Sequence, residues 1–182
     1  GRELVARLVE LGVAIDLAHA SDRTFADVLE AAPDAPLLVS HAGCRALVDT
    51  PRNVTDDQLR ALAERGGVFC VMALPIVVDP KRPTIDRLVD HVEHAVEVMG
   101  VEHVGLGGDF IRQVALALGL QDLPAMMLPD GGTIADPIEG LAGPEDYPAL
   151  VDALRRRGFE GAALDAILSG NLLRLLRRAL PD

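Results

Sequence analysis

The sequence predicts an α/β protein built on a parallel β-sheet, and three observations carry that reading. Short apolar runs alternate with segments of helical period along most of the chain. The runs are almost continuously apolar, as strands covered on both faces are, rather than alternating apolar and polar. Helical segments fill the intervals between them, the layout of βα units joined by crossover helices.

Taken in order, Arg2 to Leu11 carries Leu4, Val5, Leu8 and Val9 at helical spacing, and Gly12 stops it. Val13 to Ala18 reads as a strand, and Ser21 caps a helix that runs to Ala32. Pro36 to Ser40 is the second strand. A helix opened by Thr55 runs to Arg65, where Gly66-Gly67 breaks it. Val68 to Leu74 is the third strand, Thr84 to Met99 a long amphipathic helix, and His103 to Phe110 the fourth strand. Beyond Phe110 the period lapses. Residues 111–147 hold Met126-Met127, PDGG at 129–132 and four prolines, Pro124, Pro129, Pro137 and Pro144. They read as a long loop insertion: a flap or an oligomer contact, or a disordered insertion. Helices resume at Pro148 to Arg157 and at Gly161 to Leu180, with Gly170-Asn171 expected to turn into the last of them.

Length and composition bound the function. A chain of 182 residues is expected to form a single domain, 1–182, with a real core. Trp is absent and Phe and Tyr together number five, so that core is aliphatic. The net charge of −11, with 17 Lys+Arg, argues against a nucleic-acid surface, which needs a concentrated basic face. The longest apolar run, Val68 to Val78, contains Pro75 and is too short for a membrane span. Cys44 and Cys70 form no CxxC pair and no disulfide framework. With no signal-like opening, a cytoplasmic location is the expectation.

Two stretches then stand out. LLVSHAGC, at 37–44, carries an apolar strand into Ser40 and His41; VAIDLAHA, at 13–20, carries the preceding strand to His19. Asp109 closes the fourth strand in GLGGDF. Functional side chains of β/α barrels gather at the carboxyl ends of strands. Adjacent parallel strands lie roughly 4.8 Å apart, so two imidazoles at matched depth can share a metal ion. A single strand-end histidine is more often a core or capping residue; two on neighbouring strands with an aspartate nearby favour a site. His91 and His94 read as structural, His103 as packing or surface, and Cys44 as a small buried residue. GLGGDF lacks the spacing of a dinucleotide-binding loop.

GVAIDLAH, LVSHAGCRAL, PRNVTDDQL, GGVFCVM and DHVEHAVEVMGVEHVGLGGDF, in that order, resemble the carboxyl half of the membrane dipeptidase (renal dipeptidase) family of zinc peptidases. The resemblance runs from Gly1 to Phe110 and resumes at Asp146 to Arg174. It implies a (β/α)8 barrel of the TIM type, of which this chain supplies about the last four βα units and the closing helices. It also implies two zinc ions bridged by a carboxylate. His19 and His41 match the two histidine ligands of the second zinc, Arg52 the residue that binds the substrate's terminal carboxylate, and Asp109 the proton-transfer residue. Each role suits its chemistry. Neutral imidazole is a zinc ligand, an arginine fork reads a carboxylate bidentately, and an aspartate can pass a proton from attacking water to a leaving amine.

Three departures accompany the resemblance. The family's HxD ligand pair, its bridging Glu and a further substrate-binding histidine would all precede Gly1. Ile111 stands where the family's GxDFDG has its second Asp, and the stretch after Asp109 is longer than the family's. The expectation is therefore a portion of a longer zinc-dependent dipeptidase, hydrolysing short peptides with metal-activated water. As an isolated chain it would be incomplete and inactive. Its exposed sheet edges would pair with the missing amino-terminal half or with a second copy as a homodimer. A metal-dependent amidohydrolase acting on another amide or ester, and a non-catalytic barrel relative, are the alternatives.

Overall fold

A computed structural model describes residues 1–120 and 136–180. Along the chain these form α1 (Arg2–Glu10), β1 (Ile15–Asp16), α2 (Asp22–Ala31), β2 (Leu37–Ala42), α3 (Asp56–Ala63), β3 (Val68–Val71), α4 (Pro75–Val78), α5 (Ile85–Met99), β4 (Val104–Leu106), α6 (Arg112–Leu118), α7 (Tyr147–Arg156), α8 (Gly161–Asp165) and α9 (Asn171–Ala179). The strands form one parallel sheet in the order β1-β2-β3-β4. Strand order follows chain order, as in successive βα units of a TIM-type barrel.

Local chemistry sets the helix starts. Ser21 Oγ accepts the Thr24 amide at the head of α2, and Thr84 accepts the Arg87 amide at the head of α5. Thr55 and Gln58 form a reciprocal capping box at α3, each side chain taking the other's backbone amide. Burial then fixes which face turns inward. Leu37 and Val39 of β2, Val68 and Phe69 of β3 and Val104 of β4 are fully buried. Leu59 and Leu62 of α3, Val89, Val92 and Ala95 of α5 and Leu154 of α7 are equally buried against the sheet's outer side. The core is aliphatic, as the composition requires.

Several elements differ from the sequence expectation, each for a local reason. The first, third and fourth strands are shorter than their apolar runs; past β3 the chain stays buried and keeps single backbone bonds, the Met72 amide to the Ala42 carbonyl and the Ala73 amide to the Gly108 carbonyl. Met72, Ala73 and Leu74 lie beyond β3 yet are nearly inaccessible. Pro75 then starts the short α4, its missing amide being no loss at the first helical position.

Residues 111–147 are not simply a loop. They include α6, whose Val114, Leu116 and Leu118 face solvent and so give no amphipathic period. Ile138 and Leu141 of the same stretch are buried, and Glu139 bonds the backbone at Pro83 and Ile85. Met126-Met127 and PDGG lie outside the described residues.

The Gly170-Asn171 turn is instead a π-helical segment, Ala166–Gly170, joining α8 to α9. It sets the buried Asn171 to donate from Nδ2 to the carbonyls of Val101 and Val104, tying the last helix to β4. Among the described residues no helix is long and apolar enough to cross a membrane.

Candidate metal centre

The register of the first two strands decides where the histidines meet. Ile15 pairs with Leu37 and Asp16 with Leu38, an offset of 22 residues, and His19 and His41 are separated by the same 22. Both imidazoles therefore leave the sheet at one depth. Their Nε2 atoms stand 3.0 Å apart, with ring centroids at 5.0 Å and planes at 62°.

Backbone irregularity aims each ligand. Between β2 and β3, Val39 faces Phe69 but Ala42 faces Val71, so β2 carries one extra residue at Ser40-His41. That bulge breaks the alternation of faces and re-aims the side chains. Gly107, just past β4, makes room for it: a Cβ there would lie 1.9 Å from the Ser40 carbonyl oxygen. His19 has φ 64° and Asp109 φ 52°, the two non-glycine residues with positive φ among the described residues. Left-handed backbone costs an L-residue energy and clusters at functional sites. Two of the four residues singled out from the sequence carry it.

Arg52 returns to the site because the loop after β2 folds back on itself. The Val54 amide donates to the Gly43 carbonyl and the Arg45 amide to the Val54 carbonyl, closing the loop at Cys44 and Val54. Arg52 Nη2 then donates to the His41 carbonyl at 2.9 Å and approaches His19 Nε2 at 3.1 Å and Met72 Sδ at 3.8 Å. All three contacts use Nη2; the other edge of the fork carries none of them.

Burial, then the Arg52 charge and His41, hold the His19 imidazole below its ordinary pKa, while Asp109 and Asp16 oppose the shift. Neutral His19 is thereby favoured, the form that ligates metal. Asp109 makes its contribution at the same point, its charge reaching both His19 and Arg52. The four residues predicted from sequence are thus gathered at one end of the sheet.

Two nitrogens bound to one tetrahedral zinc at ~2.0–2.1 Å stand about 3.3 Å apart, so the His19–His41 pair fits as two ligands of one ion. Among the described residues no cluster of three or more His, Cys, Asp or Glu side chains gathers to hold a metal.

Sequence reasoning missed three supporting residues. Asp16 Oδ1 accepts the amides of Ala18 and Ser40, and Ser40 Oγ bridges Asp16 Oδ2 and His41 Nδ1. Burial works against a charge on Asp16, but the Ser40 hydroxyl, the two amides and His41 outweigh it and hold the carboxyl below its ordinary pKa. Asn53, next to Arg52, is buried and bonded on both ends of its amide. The signal for the first two was a polar residue inside an otherwise apolar strand.

The other candidates are structural. His91 accepts the Cys44 amide at Nδ1 and reaches the Val78 carbonyl with Nε2, so both ring nitrogens are used in the core. His94 pairs with Asp56, and His103 bonds the Gly67 carbonyl. Burial pushes both thiols, Cys44 and Cys70, up to about 12, far from a reactive thiolate.

Strand-end imidazoles on successive parallel βα units stand where β/α barrels carry their functional residues. The chain belongs to the membrane dipeptidase family, peptidase family M19, whose model matches residues 1–180. Dipeptidase verJ of Clonostachys rogersoniana is 31% identical over 176 residues, covering 97% of this chain and 40% of that protein. Dipeptidase 3 of Homo sapiens is 31% identical over 179 residues, covering 98% of this chain and 32% of that protein. A metallopeptidase from Rhodobacter sphaeroides, solved with a phosphinate mimic of the dipeptide L-Ala-D-Ala, superposes with a TM-score of 0.81 at 28% identity. That match covers 99% of this chain and 46% of the other. The chain thus spans less than half the length of each of these relatives.

Proposed function

We propose that residues 1–182 contribute the carboxyl half of a zinc-dependent dipeptidase site, completed by ligands from outside this stretch. The observation that carries the reading is the 3.0 Å approach of two Nε2 atoms from neighbouring strand ends. Membership of a dipeptidase family supports it.

His19 and His41 would hold one zinc ion. When bound, zinc acts as a Lewis acid on the scissile carbonyl and makes water nucleophilic near neutral pH. Arg52 fixes the substrate by its terminal carboxylate, turning the free edge of its guanidinium to the ligand. That grip makes the enzyme a dipeptidase, because a longer peptide sets its carboxylate too far from the scissile bond. Asp109 takes the proton of the attacking water and delivers it to the departing amine. The relative solved with an L-Ala-D-Ala mimic supports a substrate with a D-residue in second place.

The clamp gives a direct test. Arg52→Lys in the assembled enzyme is expected to lower kcat/KM for a free dipeptide about 10- to 100-fold, the equivalent of one charge-assisted hydrogen bond. Bound zinc should not change. The same substitution should have little effect on a dipeptide amide, which lacks the carboxylate. Equal losses on the two substrates would remove the clamp role.

A further inference from the structure

We infer that Asp16 and Ser40 form a relay that fixes the tautomer of His41 and so presents its Nε2 lone pair to the metal. The inference rests on the metal-site reading given above and assigns Asp16 and Ser40 as positioning residues.

The argument is a count of protons. The Asp16 carboxyl receives three donated hydrogen bonds, which favour its ionised form, and a carboxylate only accepts. Its Oδ1 takes the amides of Ala18 at 2.9 Å and Ser40 at 3.0 Å, and its Oδ2 takes the Ser40 hydroxyl at 2.5 Å. A serine hydroxyl has one proton, and here it is committed to Asp16. Ser40 Oγ nevertheless lies 2.6 Å from His41 Nδ1. That contact is a hydrogen bond only if Nδ1 carries the proton and Ser40 accepts. Neutral His41 therefore has Nδ1–H, and Nε2 is left as a lone pair.

The same count applies across the site. Arg52 donates at 3.1 Å to His19 Nε2, which must also be a lone pair to accept. Two unprotonated Nε2 atoms thus stand 3.0 Å apart. That arrangement is repulsive by itself and attractive around a cation. The β2 bulge makes the relay possible. In a regular strand, adjacent side chains point to opposite faces, and Ser40 would not meet the ring of the next residue. The carboxylate also reaches across from β1, so the relay couples the two strands that supply the ligands. Outer partners of this kind, which fix a histidine's tautomer and orientation, typically contribute 10- to 100-fold in metal affinity.

Nitrogen-15 NMR of the imidazoles in metal-free protein reads the tautomer without reference to activity or zinc. His41 is expected to show Nδ1–H and a bare Nε2. In Asp16→Asn the new amide donates to Ser40 Oγ, which turns the hydroxyl proton towards His41 Nδ1 and shifts the ring proton to Nε2. Ser40→Ala removes the restraint and leaves a mixture. Zinc affinity, measured by competition with a chromophoric chelator, should fall about 10- to 100-fold in both variants. Ser40→Thr, which keeps the hydroxyl, should stay close to the parent. Nε2–H on His41 in the parent protein would overturn the relay, as would an unchanged tautomer and affinity in Asp16→Asn. If the parent shows Nδ1–H and binds no zinc, the relay stands and the metal reading falls, so the two failures are distinguishable. The parent spectrum decides the tautomer even if neither variant folds.

Discussion

His41→Ala is expected to lower kcat/KM of the assembled enzyme by about 10³-fold or more. A metal acting as Lewis acid contributes several kcal/mol of transition-state stabilisation, and each 1.36 kcal/mol is tenfold in rate. The loss should appear together with loss of one zinc per site, because the pair of nitrogens 3.0 Å apart is broken. His19→Ala should behave in the same way. His91→Ala supplies the control. It removes a buried ring bonded to the Cys44 amide and the Val78 carbonyl, so stability should fall while zinc stoichiometry holds. The isolated 182-residue chain extends the test. A catalytic zinc takes three protein ligands and a water, and two imidazoles should hold the ion weakly and hydrolyse no dipeptide. Stoichiometric tight zinc with full activity in that chain, or normal turnover in His41→Ala, would refute the assignment.

Much of this site could be read in the sequence because the relevant geometry is periodic. Strand-end position follows from where an apolar run stops, and equal depth follows from register. The runs ending at His19 and His41 displayed the first, and the pairing of β1 with β2 supplied the second. Asp109 was marked by its place at a strand end, but Arg52 needed the family resemblance, since nothing in a loop's composition says that it doubles back. What closes the loop is a pair of backbone hydrogen bonds between Gly43, Arg45 and Val54, which leave no trace in residue type.

The bulge at Ser40-His41 was hidden for a similar reason. It depends on β3 pairing and on the close approach that Gly107 permits, both distant in sequence. The third strand was overestimated because burial continues past the end of β3. Met72 to Leu74 read as strand from hydropathy alone; Met72 and Ala73 each keep one backbone bond to a neighbouring strand exit, and Leu74 caps α4. The helix α6 was missed because its apolar residues face water, so the period that marks an amphipathic helix is absent. The split in the last helix likewise comes from a tertiary demand, the tie from Asn171 to the two carbonyls beside β4.

Asn53→Leu is expected to cost about 3–5 kcal/mol of stability, a large loss for one polar substitution. Asn53 is 2% exposed. Its Oδ1 accepts the Gly43 amide at 2.9 Å, and its Nδ2 donates to the carbonyls of Val48 at 3.0 Å and Val77 at 3.1 Å. One side chain therefore satisfies backbone groups at the exit of β2, in the loop that carries Arg52, and in α4. Leucine matches its size but takes the partner from the buried Gly43 amide and Val77 carbonyl, each costing roughly 1–3 kcal/mol in part recovered by relaxation, while the Val48 carbonyl keeps the Thr50 amide. There is no slack to absorb the change at Gly43, where a Cβ would come within 2.6 Å of Asn53 Oδ1. Asn53→Asp tests the chemistry separately from the shape: it keeps an acceptor for Gly43, loses both donated bonds and buries a charge, so it should also be severely destabilising. Urea denaturation at constant m reads the loss directly. In protein that remains folded, kcat/KM should fall with zinc retained, since Arg52 loses its anchor while His19 and His41 do not. A stability change below about 1 kcal/mol for both variants would mean that the loop is held by other contacts, and Arg52 would then owe its position to His41 and Met72 alone.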